Sequence, residues 1–128
     1  MYEFPNPDNI DFLILYNDLC RDGIPYNHVQ GVTKKQLRDA GYSLHHIIPK
    51  SFDPSLEHDP ENLVYLPFND HANAHYYLWK GLETMEAAMA FWFIYVYGQK
   101  NLGYTIPSED DFILREDVSH YLQLKRKK

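Results

Sequence analysis

The sequence predicts an α+β fold, mainly helical, built as a single domain over residues 1–128 around one strand–loop–strand–helix unit. Three observations predict it. Helical apolar spacing recurs on both sides of the centre of the chain. Residues 42–48 and 63–66 are short runs rich in strand formers. No repeat, low-complexity stretch or long linker divides the 128 residues. That length suits one domain with a real core, and an apolar content of 45% marks a folding chain rather than a disordered one. Large rings fill a small core efficiently, and 16% of the residues are aromatic.

The N-terminal helices fall within residues 9–41. "NIDFLILYNDLCRD" reads as the first, with Ile10, Leu13, Ile14 and Asn17 at helical spacing and Gly23 as its stop. "IPYNHVQG" reads as a loop. "TKKQLRDAG" is a short helix, with Thr33 and Gln36 in a capping-box pattern and Gly41 suited to the position after its end. "YSLHHII" is the first strand, closed by Pro49, and "LVYL" is the second. The prolines, aspartates and serines between them mark a loop.

Asn69 or Asp70 can cap a helix running from about His71 to Lys80, before Gly81. The C-terminal helices occupy residues 83–124. The first of them, to about residue 98, carries the eleven-residue apolar run "AAMAFWFIYVY", which reads as buried in the core or at a subunit contact. The second, "SEDDFILREDVSHYLQL", has acids in its first turn, where the helix dipole favours them.

Eleven apolar residues are too few to span a bilayer, and "MYEFPNPDN" lacks the features of a secretory signal. The expectation is a cytoplasmic protein with no membrane partner. One cysteine, Cys20, excludes an intrachain disulfide and a cysteine-based zinc site; it reads as a small buried apolar residue. The net charge of −6 is uneven. The basic tail, residues 125–128, carries +4, which leaves −10 for residues 1–124. Taken alone, that balance argues against a dedicated nucleic-acid binder.

Four histidines of the central unit stand out. His71 and His75 are spaced i, i+4 on one helix face, which suits two imidazoles on one metal ion. A third ligand can come from the strand, from His45 or His46. Whichever of the two does not bind the metal is free to act as a general base at neutral pH.

The segments "LHHIIPKS" and "ENLVYLPFNDHANAH" resemble the HNH endonucleases, the ββα-metal nucleases, in the form found in small phage and bacterial proteins. The resemblance covers the core motif, residues 42–80. The order His, Asn, His is met by His46, Asn62 and His71, with gaps of 16 and 9 residues. The inter-strand loop lacks the Gly-Gly pair common in the phage proteins, Pro67 stands where Thr or Ser is common, and no Cys pairs flank the motif.

The resemblance implies a metal-dependent endonuclease acting on DNA in a bacterial or phage-infected cell, leaving 5′-phosphate and 3′-hydroxyl ends. It implies His45, His71 and His75 as metal ligands and His46 as general base. Asn62 would hold by hydrogen bonds the loop that orients the base. The cofactor would be one divalent ion. Three nitrogens favour Zn, Ni, Co or Mn over Mg.

Lys50, and Lys34, Lys35 and Arg38 on the short helix, are candidates for touching phosphate, although a solvated helix face is the ordinary role of the last three. His58 lies in the inter-strand loop and reads as solvent-exposed. No DNA-reading module is present, so sequence specificity is expected to be low. The acidic balance keeps a second expectation open: a catalytically inactive, metal-stabilised ββα binding module that contacts a protein partner. A homodimer through the apolar helix would turn nicking into double-strand cleavage.

Overall fold

The computed structural model describes residues 3–29 and 31–126. The fold is mixed α+β, with helix predominant and one small antiparallel sheet. Among the described residues, α1 (Ile10–Arg21) leads into the two-residue strand β1 (Ile24–Pro25), then α2 (Lys34–Asp39) and β2 (Tyr42–His46). Two short 3₁₀ turns follow, then β3 (Leu63–Pro67), α3 (Phe68–Leu82), α4 (Met85–Leu102) and α5 (Ser108–Arg126). Lys127 and Lys128 of the basic tail lie outside the described residues.

The local signals explain most boundaries. Asn9 caps α1 by accepting from the Asp11 N–H. Thr33 and Gln36 form a complete capping box on α2. Gly41, after that helix, has φ +89°, a conformation that costs glycine nothing. Several features differ from the sequence expectation: β2 ends at His46 rather than Ile48, and α3 runs through Gly81 to Leu82 instead of stopping before it. Residues 24–25, expected as loop, pair with β3, giving a three-stranded sheet in the order β1–β3–β2. α3 starts at Phe68 rather than His71: Pro67 occupies the cap without a side-chain hydrogen bond, and Asn69 and Asp70 fall inside the first turn. Pro67 stays extended, at φ −55° and ψ 153°, and the helix begins at the residue after it.

α3 divides two cores. On one side Leu13, Tyr16 and Cys20 of α1 pack with Val64 and Leu66 of β3 and with Ala74, Leu78 and Leu82 of α3. On the other, Ala72 and Trp79 of α3 meet Phe91 and Tyr95 of α4 and Leu114 and Val118 of α5. The acids of α5 also make tertiary bonds. Asp110 accepts from the Tyr76 hydroxyl at 2.5 Å and from Lys80 Nζ at 2.9 Å, Asp117 from Trp79 Nε1 at 3.1 Å, and Asp111 from the Tyr95 hydroxyl at 2.5 Å. α4 is not covered on every side: Phe93 is 70% exposed, with Val96 and Tyr97 also exposed. No helix among the described residues is long and apolar enough to cross a membrane.

α1 can lie close on α3 because Gly81 has no side chain. A Cβ there would stand 2.5 Å from Leu13 Cδ2 and 2.7 Å from Leu13 Cγ. The Gly81 carbonyl accepts from the Asp8 and Asn9 N–H groups at 2.8 and 2.9 Å. Gly81→Ala should therefore lift α1 and destabilise the fold by about 1–3 kcal/mol. Urea unfolding measures this; an unchanged midpoint would refute the close-approach argument.

Candidate metal centre

β2 and β3 pair antiparallel, with His45 opposite Val64 and His46 opposite Leu63. Alternation along β2 puts Ser43 and His45 on one face and His46 on the other. The Ser43/His45 face meets α3. There His45, His71 and His75 come together, each pair of ring centroids 5.0 Å apart. One nitrogen from each ring lies within 4.8 Å of the others, against about 3.4 Å for ligands around a tetrahedral ion with ordinary metal–nitrogen bonds. The three residues form a group that could hold a metal ion.

The group is held from behind. His45 is 2% exposed, and its Nε2 lies 2.7 Å from the hydroxyl of Tyr16, which is fully buried on α1. The Tyr16 hydroxyl donates in turn to the Ile47 carbonyl at 2.5 Å. His71 Nδ1 lies 2.6 Å from Ser43 Oγ. Burial, then the neighbouring imidazoles, hold the His45 pKa well below the ordinary histidine value. Burial, then repulsion from His46, lowers His71 to about 4; burial, then repulsion from His71 and His46, lowers His75 to about 3. All three rings are thus neutral at pH 7, the form in which imidazole binds a cation. Three neutral imidazoles, one fully buried and two half-buried, thus stand where they could hold a metal ion.

His46 occupies a different setting. Its Nε2 lies 2.9 Å from the Glu57 backbone carbonyl. A carbonyl only accepts, so Nε2 carries the proton and Nδ1 keeps its lone pair. The groove containing His46 is also lined by Tyr26, Lys34, Glu57 and His58. Lys50 lines a second groove together with His75 and pairs with Glu57 at 3.5 Å. Lys34 therefore stands in the His46 groove and Lys50 in the His75 groove. Lys35 is exposed and paired with Asp39 at 2.9 Å, and Arg38 is exposed; neither lines these two grooves. His58 is 92% exposed along its side chain.

Asn62 is buried and ties the inter-strand loop across its base. Its side chain accepts from the Ile48 N–H at 2.8 Å and donates to the Ile48 and Leu56 carbonyls at 3.1 and 3.2 Å. Its own carbonyl accepts from the Ile47 N–H at 2.9 Å. The loop that supplies the Glu57 carbonyl to His46 is closed by these bonds. Sequence reasoning missed Tyr16, Ser43 and Glu57. Ser43 was within reach, since it lies two residues from His45 and shares its strand face. Tyr16 gave no signal, because nothing local links it to residue 45.

No family model matches the chain, and no solved structure matches it. A 54-residue stretch, 42% of this chain, is 43% identical to part of a protein described as "Probable mobile endonuclease C" of Enterobacteria phage T4. The matched stretch spans a quarter of that relative's length.

Two outcomes follow from the geometry. Between pH 6.5 and about 4, unfolded histidines take up protons that His71 and His75 refuse in the fold. Stability then rises with pH across this window and falls on acidification through it. The metal-free protein should lose melting temperature from pH 7 to pH 4, and a flat profile would contradict the buried neutral triad. Asn62→Ala leaves the Ile48 N–H and two carbonyls without their partner and should cost about 1–3 kcal/mol by chemical denaturation.

Proposed function

We propose that the chain is a metal-dependent endonuclease of the HNH type that hydrolyses DNA phosphodiester bonds. One observation carries this reading: three imidazoles converge on one side of β2 while the adjacent histidine, His46, lines a groove on the other. The partial similarity to a phage protein described as a probable mobile endonuclease supports it.

In this reading His45, His71 and His75 hold one divalent ion. When bound, that ion supplies Lewis-acid stabilisation of the charge that grows on the phosphoryl and leaving oxygens. His46 accepts a proton from the attacking water at Nδ1, since Nε2–H is engaged by the Glu57 carbonyl. Asn62 acts at one remove, as a positioning residue: it holds the loop whose carbonyl orients His46. Lys34 and Lys50 neutralise phosphates on either side of the cut. Lys35, Arg38 and the basic tail add weaker, sequence-independent contacts.

The charge of −10 on residues 1–124 favours a second reading, an inactive metal-stabilised module that binds a protein partner. The two are separable. Supercoiled plasmid is incubated with the protein and, in turn, Zn²⁺, Ni²⁺, Co²⁺, Mn²⁺ and Mg²⁺, beside His46→Ala and His75→Ala. The nuclease reading expects nicking by the wild type with at least one ion. It expects a loss of at least about 10²-fold in His46→Ala, as for removal of a general base, with metal binding retained. In His75→Ala both activity and metal binding should be lost. Intact plasmid with every ion, together with a metal-dependent rise in melting temperature, decides for the binding module. Linear product appearing with second-order dependence on protein would point to a dimer, for which the exposed Phe93, Val96 and Tyr97 of α4 offer a surface.

A further inference from the structure

Tyr16 lies on α1, outside the strand–loop–strand–helix unit that supplies the four histidines. Its hydroxyl makes two short contacts, to His45 Nε2 at 2.7 Å and to the Ile47 carbonyl at 2.5 Å, and a long one to the His46 carbonyl at 3.5 Å. A phenol has one proton to donate, and a carbonyl has none. The Ile47 contact is a hydrogen bond only if Tyr16 supplies that proton. The phenol oxygen then has only lone pairs to offer His45, so the proton between them belongs to the imidazole. We propose that Tyr16 is a positioning residue that holds His45 as the Nε2–H tautomer and so presents Nδ1 to the metal.

The inference rests on the metal-centre reading for its second half, while the proton assignment stands on geometry alone. His71 lacks such a lock. Its partner Ser43 is a hydroxyl that can either donate or accept, so that contact does not choose a tautomer. The phenol also stays protonated, because burial raises the Tyr16 pKa well above the ordinary tyrosine value. Cys20 sits beside it as a neutral thiol, its pKa pushed up to about 11 by burial. With His45 Nε2–H donating to Tyr16, the ring is both oriented and made a stronger donor at Nδ1, as outer-shell partners of metal-bound histidines do. α1 therefore belongs to the site, although it contributes no ligand.

The test uses the whole chain, labelled with ¹⁵N in its histidine rings, and the variant Tyr16→Phe, which keeps the buried ring and removes only the hydroxyl. Two-bond ¹H–¹⁵N spectra of the metal-free protein at pH 7 read the tautomer, with His45 assigned by its loss in His45→Asn. The expectation is Nε2–H for His45 in the wild type and a mixed or Nδ1–H population in Tyr16→Phe. Titration with Zn²⁺ alone should show binding weakened by about 10–100-fold in the variant. A wild-type His45 in the Nδ1–H form overturns the proposal, and this holds even where Tyr16→Phe fails to fold. An unchanged tautomer and unchanged Zn²⁺ affinity in a folded Tyr16→Phe overturn it as well. A wild type that shows the Nε2–H tautomer, loses it on Tyr16→Phe and binds no Zn²⁺ would support the control of the tautomer and refute the metal centre.

Discussion

Three imidazoles gathered between a strand and a helix set the terms for the rest of the structure. A buried polar ring is costly unless its nitrogens find partners. Charge is excluded there by burial and by mutual repulsion, so His45, His71 and His75 are neutral and compete for few donors. Tyr16 and Ser43 meet that demand from behind. The lone pairs left facing inward make the group a candidate for a cation rather than a defect in the core.

The hairpin sends two adjacent histidines to opposite faces. His45 faces α3 and His46 faces a groove, because neighbouring residues on β2 point to opposite sides. The pairing with β3 fixes this, since a slip of one residue would exchange the two rings. Asn62 then closes the loop between the strands, and Ile47 is bound through its N–H to Asn62 and through its carbonyl to Tyr16. The backbone just after the histidine pair is thus fastened from both sides.

Much of this was legible in the chain before the fold. The spacing of His71 and His75, the capping box at Thr33 and the strand character of residues 42–48 and 63–66 are local patterns, and each appears in the fold, although the first strand ends at His46 rather than Ile48. The start of α3 was misplaced because the helix begins at the residue after Pro67, with no capping side chain to mark it. The pairing of residues 24–25 was missed because two residues carry no period. The acids of α5 read as dipole partners, yet Asp110, Asp111 and Asp117 also accept hydrogen bonds from tyrosine and tryptophan side chains of α3 and α4. The apolar run of α4 read as buried in the core or at a subunit contact; Phe91 and Tyr95 lie in the core and Phe93 and Tyr97 stay exposed, since hydrophobicity alone does not say which faces find a neighbour.

The sequence by itself determined which residue types could form a centre and how they are spaced, because i, i+4 on a helix and alternation on a strand are properties of the local backbone. It also determined that the chain folds as α+β with helices on both sides of a small sheet. Only the tertiary structure decided that His45 meets the helical pair while His46 does not, that Lys34 and Lys50 rather than Lys35 and Arg38 line the adjoining grooves, and that Tyr16 stands behind His45. The split of His45 from His46 follows from the β2–β3 register, while Tyr16 reaches His45 through the docking of α1 on α3, a contact between segments some 60 residues apart that uses the bare backbone of Gly81. No pattern along the chain encodes such a meeting, because it is fixed by packing and not by period.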